Sequence, residues 1–214
     1  KFEQALIVAQ EAIKIGRKNL YKHQTFADSL NNLAELYRIL GCFSQAKPLY
    51  IEALNLRQEL LGDSHPDVAQ ALNNIAAFYV AQGIYSQAET YLFAALDIFK
   101  INLGDEHEQI ANYLNNIGEV YREQGRFEDA EKMHLEALDM RKRLLGDSHA
   151  DIAQSLDNLA ALYENQARYA DAEKMHLSAL AMRKNLLGDE HWYIAVSLNN
   201  LAALYNSQGL YSQA

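Results

Sequence analysis

The sequence is poor in the residues that mark several common classes of protein. Its 214 residues include one cysteine, two prolines and ten glycines. The single cysteine, Cys42, excludes an internal disulfide framework and a zinc site built from several cysteines. So few prolines and glycines exclude a fold of many short strands joined by turns. No apolar run reaches the ~18 residues of a membrane span, and no signal-peptide pattern opens the sequence, so we expect a cytoplasmic protein.

Positive charge is also scarce. Lysine and arginine number 19 against 28 aspartates and glutamates, which gives a formal net charge of −9. This balance disfavours general affinity for the phosphates of nucleic acids or membranes. Half of the residues are hydrophobic, which is typical of a folded chain rather than a disordered one.

What the sequence does contain is a repeat of 42 residues. The segment Leu-Asn-Asn-Leu-Ala begins at Leu30, and related segments follow at that spacing, starting at Leu72, Leu114, Leu156 and Leu198. A Gly-Asp pair followed by histidine recurs in the same register, first as Gly62, Asp63 and His65. Internal periods of this length are typical of repeat proteins.

Each copy predicts two helices, named here the A helix and the B helix. In the second copy, Leu72, Ile75 and Tyr79 follow the spacing of one face of an A helix, and Leu92 and Phe99 lie on the B helix. We predict one array over 1–214, with full A–B pairs at 26–61, 68–103, 110–145 and 152–187. A leading B helix is predicted at 1–22, and a trailing A helix with the start of a B helix at 194–214.

Position numbers within the repeat count Leu30 as position 4. Leucine or isoleucine, alanine or glycine, and tyrosine then recur at positions 4, 7, 8 and 11, with glycine, an aromatic residue and two alanines at 15, 17, 20 and 27. This pattern resembles the tetratricopeptide repeat, and its longer junction is similar to the kinesin light chain type. The resemblance implies an all-α fold, an α-α superhelix of antiparallel helix pairs with a concave groove lined by A helices. It also implies a non-enzymatic scaffold that binds a protein or peptide.

The candidate binding residues lie on the A helices at positions that do not follow the apolar spacing, namely 2, 5, 6, 9, 12 and 13. Positions 5 and 6 form an asparagine ladder of Asn31, Asn32, Asn73, Asn74, Asn115, Asn116, Asp157, Asn158, Asn199 and Asn200. Beside it we predict Glu35, Arg38, Glu119 and Arg122. An amide both donates and accepts, which suits the backbone of an extended peptide. Alternatively, these amides bond one another and set the superhelical twist. At position 5 both interpretations stay open, and at position 6 the resemblance implies ligand contact.

Acids outnumber bases on the predicted groove. Six carboxylates face two arginines, Arg38 and Arg122; the acids are Asp28, Glu35, Glu119, Glu123, Asp157 and Glu164. Kinesin light chains bind acidic cargo peptides through basic groove residues, and such residues are mostly missing here. We therefore expect a peptide with neutral or basic residues and an aromatic or aliphatic anchor. Alternatively, the acids form a solvated face without a ligand.

Catalytic and cofactor motifs are not found in the sequence. No phosphate-binding glycine motif occurs, and the recurring Asp-x-His pairs are one repeat apart, so we interpret them as hydrogen-bonding residues of helix junctions rather than metal ligands. His134 and His176 are predicted to be packed side chains. We expect no enzyme, metal or cofactor. The alternative to a peptide-binding scaffold is a structural solenoid that self-associates head to tail through the exposed apolar face of its last A helix, or that spaces flanking domains.

Overall fold

The computed structural model describes residues 2–19 and 22–209, and the regular structure in these ranges is α-helical. The helices are α1 (Phe2–Asn19), α2 (Gln24–Ile39), α3 (Phe43–Leu61), α4 (Pro66–Val80), α5 (Tyr85–Leu103), α6 (Glu108–Glu123), α7 (Phe127–Leu145), α8 (Ala150–Asn165), α9 (Tyr169–Leu187) and α10 (Trp192–Ser207). The predicted start of a B helix at the end of 194–214 falls on 210–214, outside the described residues.

The recurring junction histidine caps the A helix that follows it. His65 precedes α4, and its Nδ1 accepts a hydrogen bond from the backbone N–H of Asp67 at 3.1 Å. His107 caps α6 in the same way through the N–H of Gln109. A helix start leaves backbone N–H groups without partners inside the helix, and the cap satisfies one of them. The structural interpretation of these histidines is confirmed.

The chain divides into two compact units, Lys1–Gly104 and Asp105–Ala214. In the first unit, α2 pairs with α3 and α4 pairs with α5, while α1 packs on α2 and α3 packs on α4. Its core includes Phe26, Leu30 and Leu56. Ala34 and Ala46, one on each helix of the α2–α3 pair, are fully buried, which is the role expected of small residues where two helices approach closely.

The second unit repeats the arrangement with its own core. Here α6 pairs with α7 and α8 pairs with α9, and α7 and α9 pack on α8 and α10 respectively. Buried Ile152, Leu159 and Leu204 belong to the core of α8 to α10. None of the helices in the described ranges is long and apolar enough to cross a membrane.

Candidate peptide-binding surface

The two positions of the asparagine ladder have different surroundings. At position 6, Asn32 and Asn116 are exposed, and the other members are half-buried; these are Asn74, Asn158 and Asn200. At position 5, Asn115 and Asp157 are buried. Asn31 and Asn73 are half-buried and Asn199 is exposed. The sequence spacing predicts that both positions face away from the B helix, and Asn115 and Asp157 depart from this because their side chains bond to B-helix residues.

In the first unit, ladder amides bond one another across two A helices. The amide nitrogen of Asn74, on α4, donates to the side-chain oxygen of Asn31, on α2, at 2.8 Å. Gln70, one turn earlier on α4, donates to the side-chain oxygen of Asn74 at 3.1 Å. The bond between Asn74 and Asn31 joins α4 to α2, as in the alternative in which ladder amides bond one another, and the bond from Gln70 lies within α4.

In the second unit, Asn115 lies at the meeting point of three helices and is 5% exposed. Its side-chain oxygen lies 2.9 Å from Nδ1 of His134 on α7. Its amide nitrogen donates to Oγ of Ser155 on α8 at 3.3 Å. The amide is enclosed and bonded on both sides, so Asn115 joins α6 to α7 and α8.

Asp157 takes the place of asparagine at position 5 of α8 and accepts from two cationic side chains of α9. Nδ1 of His176 lies 2.8 Å from one carboxylate oxygen, and Nη1 of Arg183 lies 2.5 Å from the other. Nε2 of His176 contacts Glu164 of α8 at 3.0 Å. We name Asp157, Glu164, His176 and Arg183 the His176 network. Burial acts to lower the pKa of His176, but the hydrogen bonds and charges of Asp157 and Glu164 outweigh it and raise that pKa above its ordinary value of 6.5.

The excess of acid on the A helices is balanced by bases that the B helices contribute. On α2, Asp28 pairs with Arg57 of α3 at 2.8 Å. On α8, Asp157 pairs with Arg183, and Glu164 pairs with His176, whose charge the raised pKa favours. The sequence comparison of six acids with two arginines counted A-helix residues alone, so it missed these partners.

The remaining three acids pair with arginines of their own helix. Arg38 contacts Glu35 at 2.5 Å, and Glu35 also accepts from the hydroxyl of Tyr50 at 2.7 Å. The hydrogen bond from Arg38 lowers the pKa of Glu35, with burial opposing it and Tyr50 adding to it. On α6, Arg122 pairs with Glu119 at 3.0 Å and with Glu123 at 2.6 Å. Each of the six carboxylates therefore has a cationic partner.

Position 31 of the B helix holds a buried arginine that sequence reasoning did not single out. Arg57 donates to Asp28 of its own A helix and to the backbone oxygen of Asp67 on the next one. Arg141 likewise donates to Asn112 of α6 and to the backbone oxygen of Asp151 on α8. Arg183 is the third example, and Phe99 occupies the position in α5. Recurrence at the repeat spacing was the available signal, although periodicity alone does not show that a charged side chain is buried.

Within 2–19 and 22–209, no group of three or more histidine, cysteine, aspartate or glutamate residues is arranged to hold a metal ion. These residues instead offer surface amides beside paired charges, and such amides can exchange hydrogen bonds with another chain.

Repeated antiparallel helix pairs with alanine at their contacts define the class of helical repeat proteins. A model of the tetratricopeptide repeat matches residues 25–101, 67–143, 109–185 and 151–214. The chain belongs to the tetratricopeptide repeat family. The all-α superhelical fold class and the kinesin light chain-like resemblance predicted from the sequence are confirmed.

Solved structures share this fold. The crystal structure of BtubC (BKLC) from P. vanneervenii has a TM-score of 0.80 and 29% identity, and the match covers all of this chain and 86% of that one. Two structures of a proposed kinesin light chain from Podosopora anserina, with nearly identical TPR-like repeats, have TM-scores of 0.74 and 0.71. Their identities are 19% and 21%, and the matches cover 86% and 89% of this chain and 88% and 90% of theirs. No curated protein sequence matches this chain.

Proposed function

We propose that this chain is a cytoplasmic, non-enzymatic scaffold that binds an extended peptide segment of a partner protein through the position 6 asparagines. Tetratricopeptide repeats generally form protein-interaction scaffolds. The observation that carries the proposal is the contrast within the ladder of the second unit. Asn115 and Asp157 are fixed inside by B-helix side chains, whereas Asn116 is exposed and Asn158 is half-buried, with its side-chain oxygen accepting from Gln154 of the same helix at 3.0 Å.

The paired charges define the class of peptide. Every acid of the predicted surface has a cationic partner inside the protein, so a charged peptide has to compete with those pairs. An uncharged peptide does not compete with these ion pairs, and its backbone can form hydrogen bonds with the side-chain amides. We therefore propose a neutral, extended segment with an apolar anchor, and the basic ligand expected from the count of acids loses its support.

A peptide array tests the proposal with a variant of the second unit, Asn116→Ala/Asn158→Ala. Alanine favours helix more than asparagine does, so α6 and α8 are expected to remain folded. The matched control is Asn55→Ala/Asn185→Ala, which removes two exposed asparagines from the B helices α3 and α9. We expect the parent and the control to capture the same neutral peptides and the ladder variant to lose them. Equal capture by the ladder variant would refute the ligand role of these amides.

Self-association is the second candidate function, and the surroundings of Leu198 favour it. Leu198 on α10 is 50% exposed, whereas its equivalents at position 4 are buried; these are Leu30, Leu72, Leu114 and Leu156. An exposed apolar face of this kind can dock a second copy of the chain. Sedimentation velocity over a hundredfold concentration range, repeated with Leu198→Glu, tests this function. A sedimentation coefficient that rises with concentration in the parent but not in Leu198→Glu supports self-association. A monomer at every concentration refutes it.

A further inference from the structure

His176 presents both of its ring nitrogens to carboxylates. Nδ1 lies 2.8 Å from Oδ1 of Asp157, and Nε2 lies 3.0 Å from Oε1 of Glu164. An ionised carboxylate only accepts hydrogen bonds, and a neutral imidazole carries only one N–H. Both contacts are hydrogen bonds at once only when the ring is a doubly protonated imidazolium, so the geometry requires the charged form of His176.

The charges that surround this ring come from several helices. On α8 they are Asp157 and Glu164, and on α9 Arg183 holds the second oxygen of Asp157. From α10, Ser197 accepts from Arg183 at 2.6 Å, and the ring of Tyr193 lies 5.7 Å from that guanidinium. From α6, Arg122 donates to Asn165, the neighbour of Glu164. Two anions and two cations balance within the His176 network, and this balance fails if the imidazolium loses its proton.

We propose that His176 is a proton-dependent clamp that holds α8 against α9, closed when the ring is charged and weakened when the ring is neutral. Deprotonation leaves one ring lone pair facing a carboxylate in a buried site, where an unsatisfied polar contact is costly. The pKa of His176 is raised on folding, so its contribution to stability is complete below about pH 6.5, the ordinary histidine value, and is lost as the pH rises through the folded pKa. The clamp does not depend on peptide binding, and its test needs no ligand.

The chain itself contains a version of this repeat without the clamp. In α4 and α5, the positions equivalent to Asp157, Glu164, His176 and Arg183 hold Asn73, Val80, Leu92 and Phe99. Leu92 and Phe99 are buried there. The variant Asp157→Asn/Glu164→Val/His176→Leu/Arg183→Phe therefore copies the side chains that occupy these positions in α4 and α5. It serves as the matched reference without a titrating group at this site.

The first measurement is the NMR titration of the His176 ring in the full chain, with its signal assigned by its absence from His176→Gln. We expect a midpoint above 6.5 and two ring N–H protons at pH 7. In Asp157→Asn, which gives His176 an amide partner like the one that Asn115 gives His134, we expect the midpoint to fall. A parent midpoint at or below 6.5 would overturn the proposal.

The second measurement compares urea unfolding of the parent and the fourfold variant between pH 6 and 9, so that other titrating groups cancel. Between the ordinary histidine pKa of 6.5 and the raised folded pKa, the folding equilibrium constant of the parent is expected to fall by up to tenfold per pH unit relative to the variant. Above the folded pKa the two profiles are expected to run parallel. If the fourfold variant does not fold, His176→Gln takes its place. Profiles for parent and reference that are parallel over the whole pH range would show that the clamp does not exist.

Discussion

The imidazole of His134 lies against the backbone of Gly118. A Cβ atom at Gly118 would lie 2.7 Å from Cε1 of that ring, nearer than side chains pack. The same repeat position holds alanine in α2, α4, α8 and α10. Glycine in the middle of α6 permits this close approach of the His134 ring, although glycine is less favourable than alanine in a helix by ~1 kcal/mol. In α8 and α9 the same two positions hold Ala160 and His176, so the need for glycine is particular to the place of the His134 ring.

Gly118→Ala is therefore expected to destabilise the protein despite the better helix propensity of alanine. Overpacking of a filled core typically costs ~1–3 kcal/mol in the free energy of unfolding, which urea titration measures. The control is the same substitution in a His134→Leu background, because α4 and α5 pair Ala76 with Leu92 at these positions. We expect the cost to shrink there, and an equal cost in both backgrounds would show that the ring is not its cause.

Ala167 has φ +56°, while Gly41, Gly83, Gly125 and Gly209 adopt positive φ at the same repeat position. A side chain in this left-handed conformation costs ~1–2 kcal/mol, and the greater freedom of glycine in the unfolded chain removes part of that difference. We predict that Ala167→Gly raises the free energy of unfolding by up to ~1 kcal/mol. Ala77→Gly, in the middle of α4, is the control and should lower it by ~1 kcal/mol. A loss of stability in Ala167→Gly would contradict the prediction.

The period of the sequence was sufficient to predict the helices because apolar side chains must recur on one face to be buried. It also placed the position 6 asparagines, which the structure leaves at the surface. Whether a side chain at position 5 is buried or exposed could not be predicted from the period. Asn115 is buried because its side-chain oxygen forms a hydrogen bond with Nδ1 of His134, 19 residues later on the next helix, whereas Asn199 at the same position is exposed. A polar residue between the two helix faces goes where its hydrogen-bond partner lies, and that partner is a property of the fold.

The charge of the candidate surface shows the same limit. The count of charges by repeat position included only residues of the A helices. Arg57 and Arg183 of the B helices pair with Asp28 and Asp157 from inside the protein and neutralise them. Long arginine side chains cross between helices, so a charge assigned to one face by sequence can be cancelled from another.

Replacement of Arg141 tests directly whether a buried B-helix arginine joins neighbouring A helices. Arg141 is buried and donates to Asn112, to the backbone oxygen of Asp151 and to Ser155, so its loss leaves three acceptors without this donor. We expect Arg141→Ala to lower the free energy of unfolding by ~2–4 kcal/mol, from the cavity and the lost bonds together. Arg141→Phe copies Phe99 and fills the cavity, so its cost should be smaller. If Arg141→Ala is neutral in urea titration, the arginine does not join α6 to α8.

Glu35 provides a prediction at acid pH. Its pKa lies below the ordinary value of 4.5, because the hydrogen bond from Arg38 favours the carboxylate more than burial disfavours it, and Tyr50 adds a second bond. A carboxyl group with a lowered folded pKa contributes stability above its unfolded pKa and loses that contribution as the pH falls through the folded value. We expect the melting temperature of the parent to drop more steeply than that of Glu35→Gln between pH 5 and 3. Glu59→Gln, which changes an exposed carboxylate paired with Lys22 on the surface, is the control and should follow the parent curve. If Glu35→Gln and the parent instead melt along parallel curves over this range, Glu35 holds no special bond to Arg38 and Tyr50.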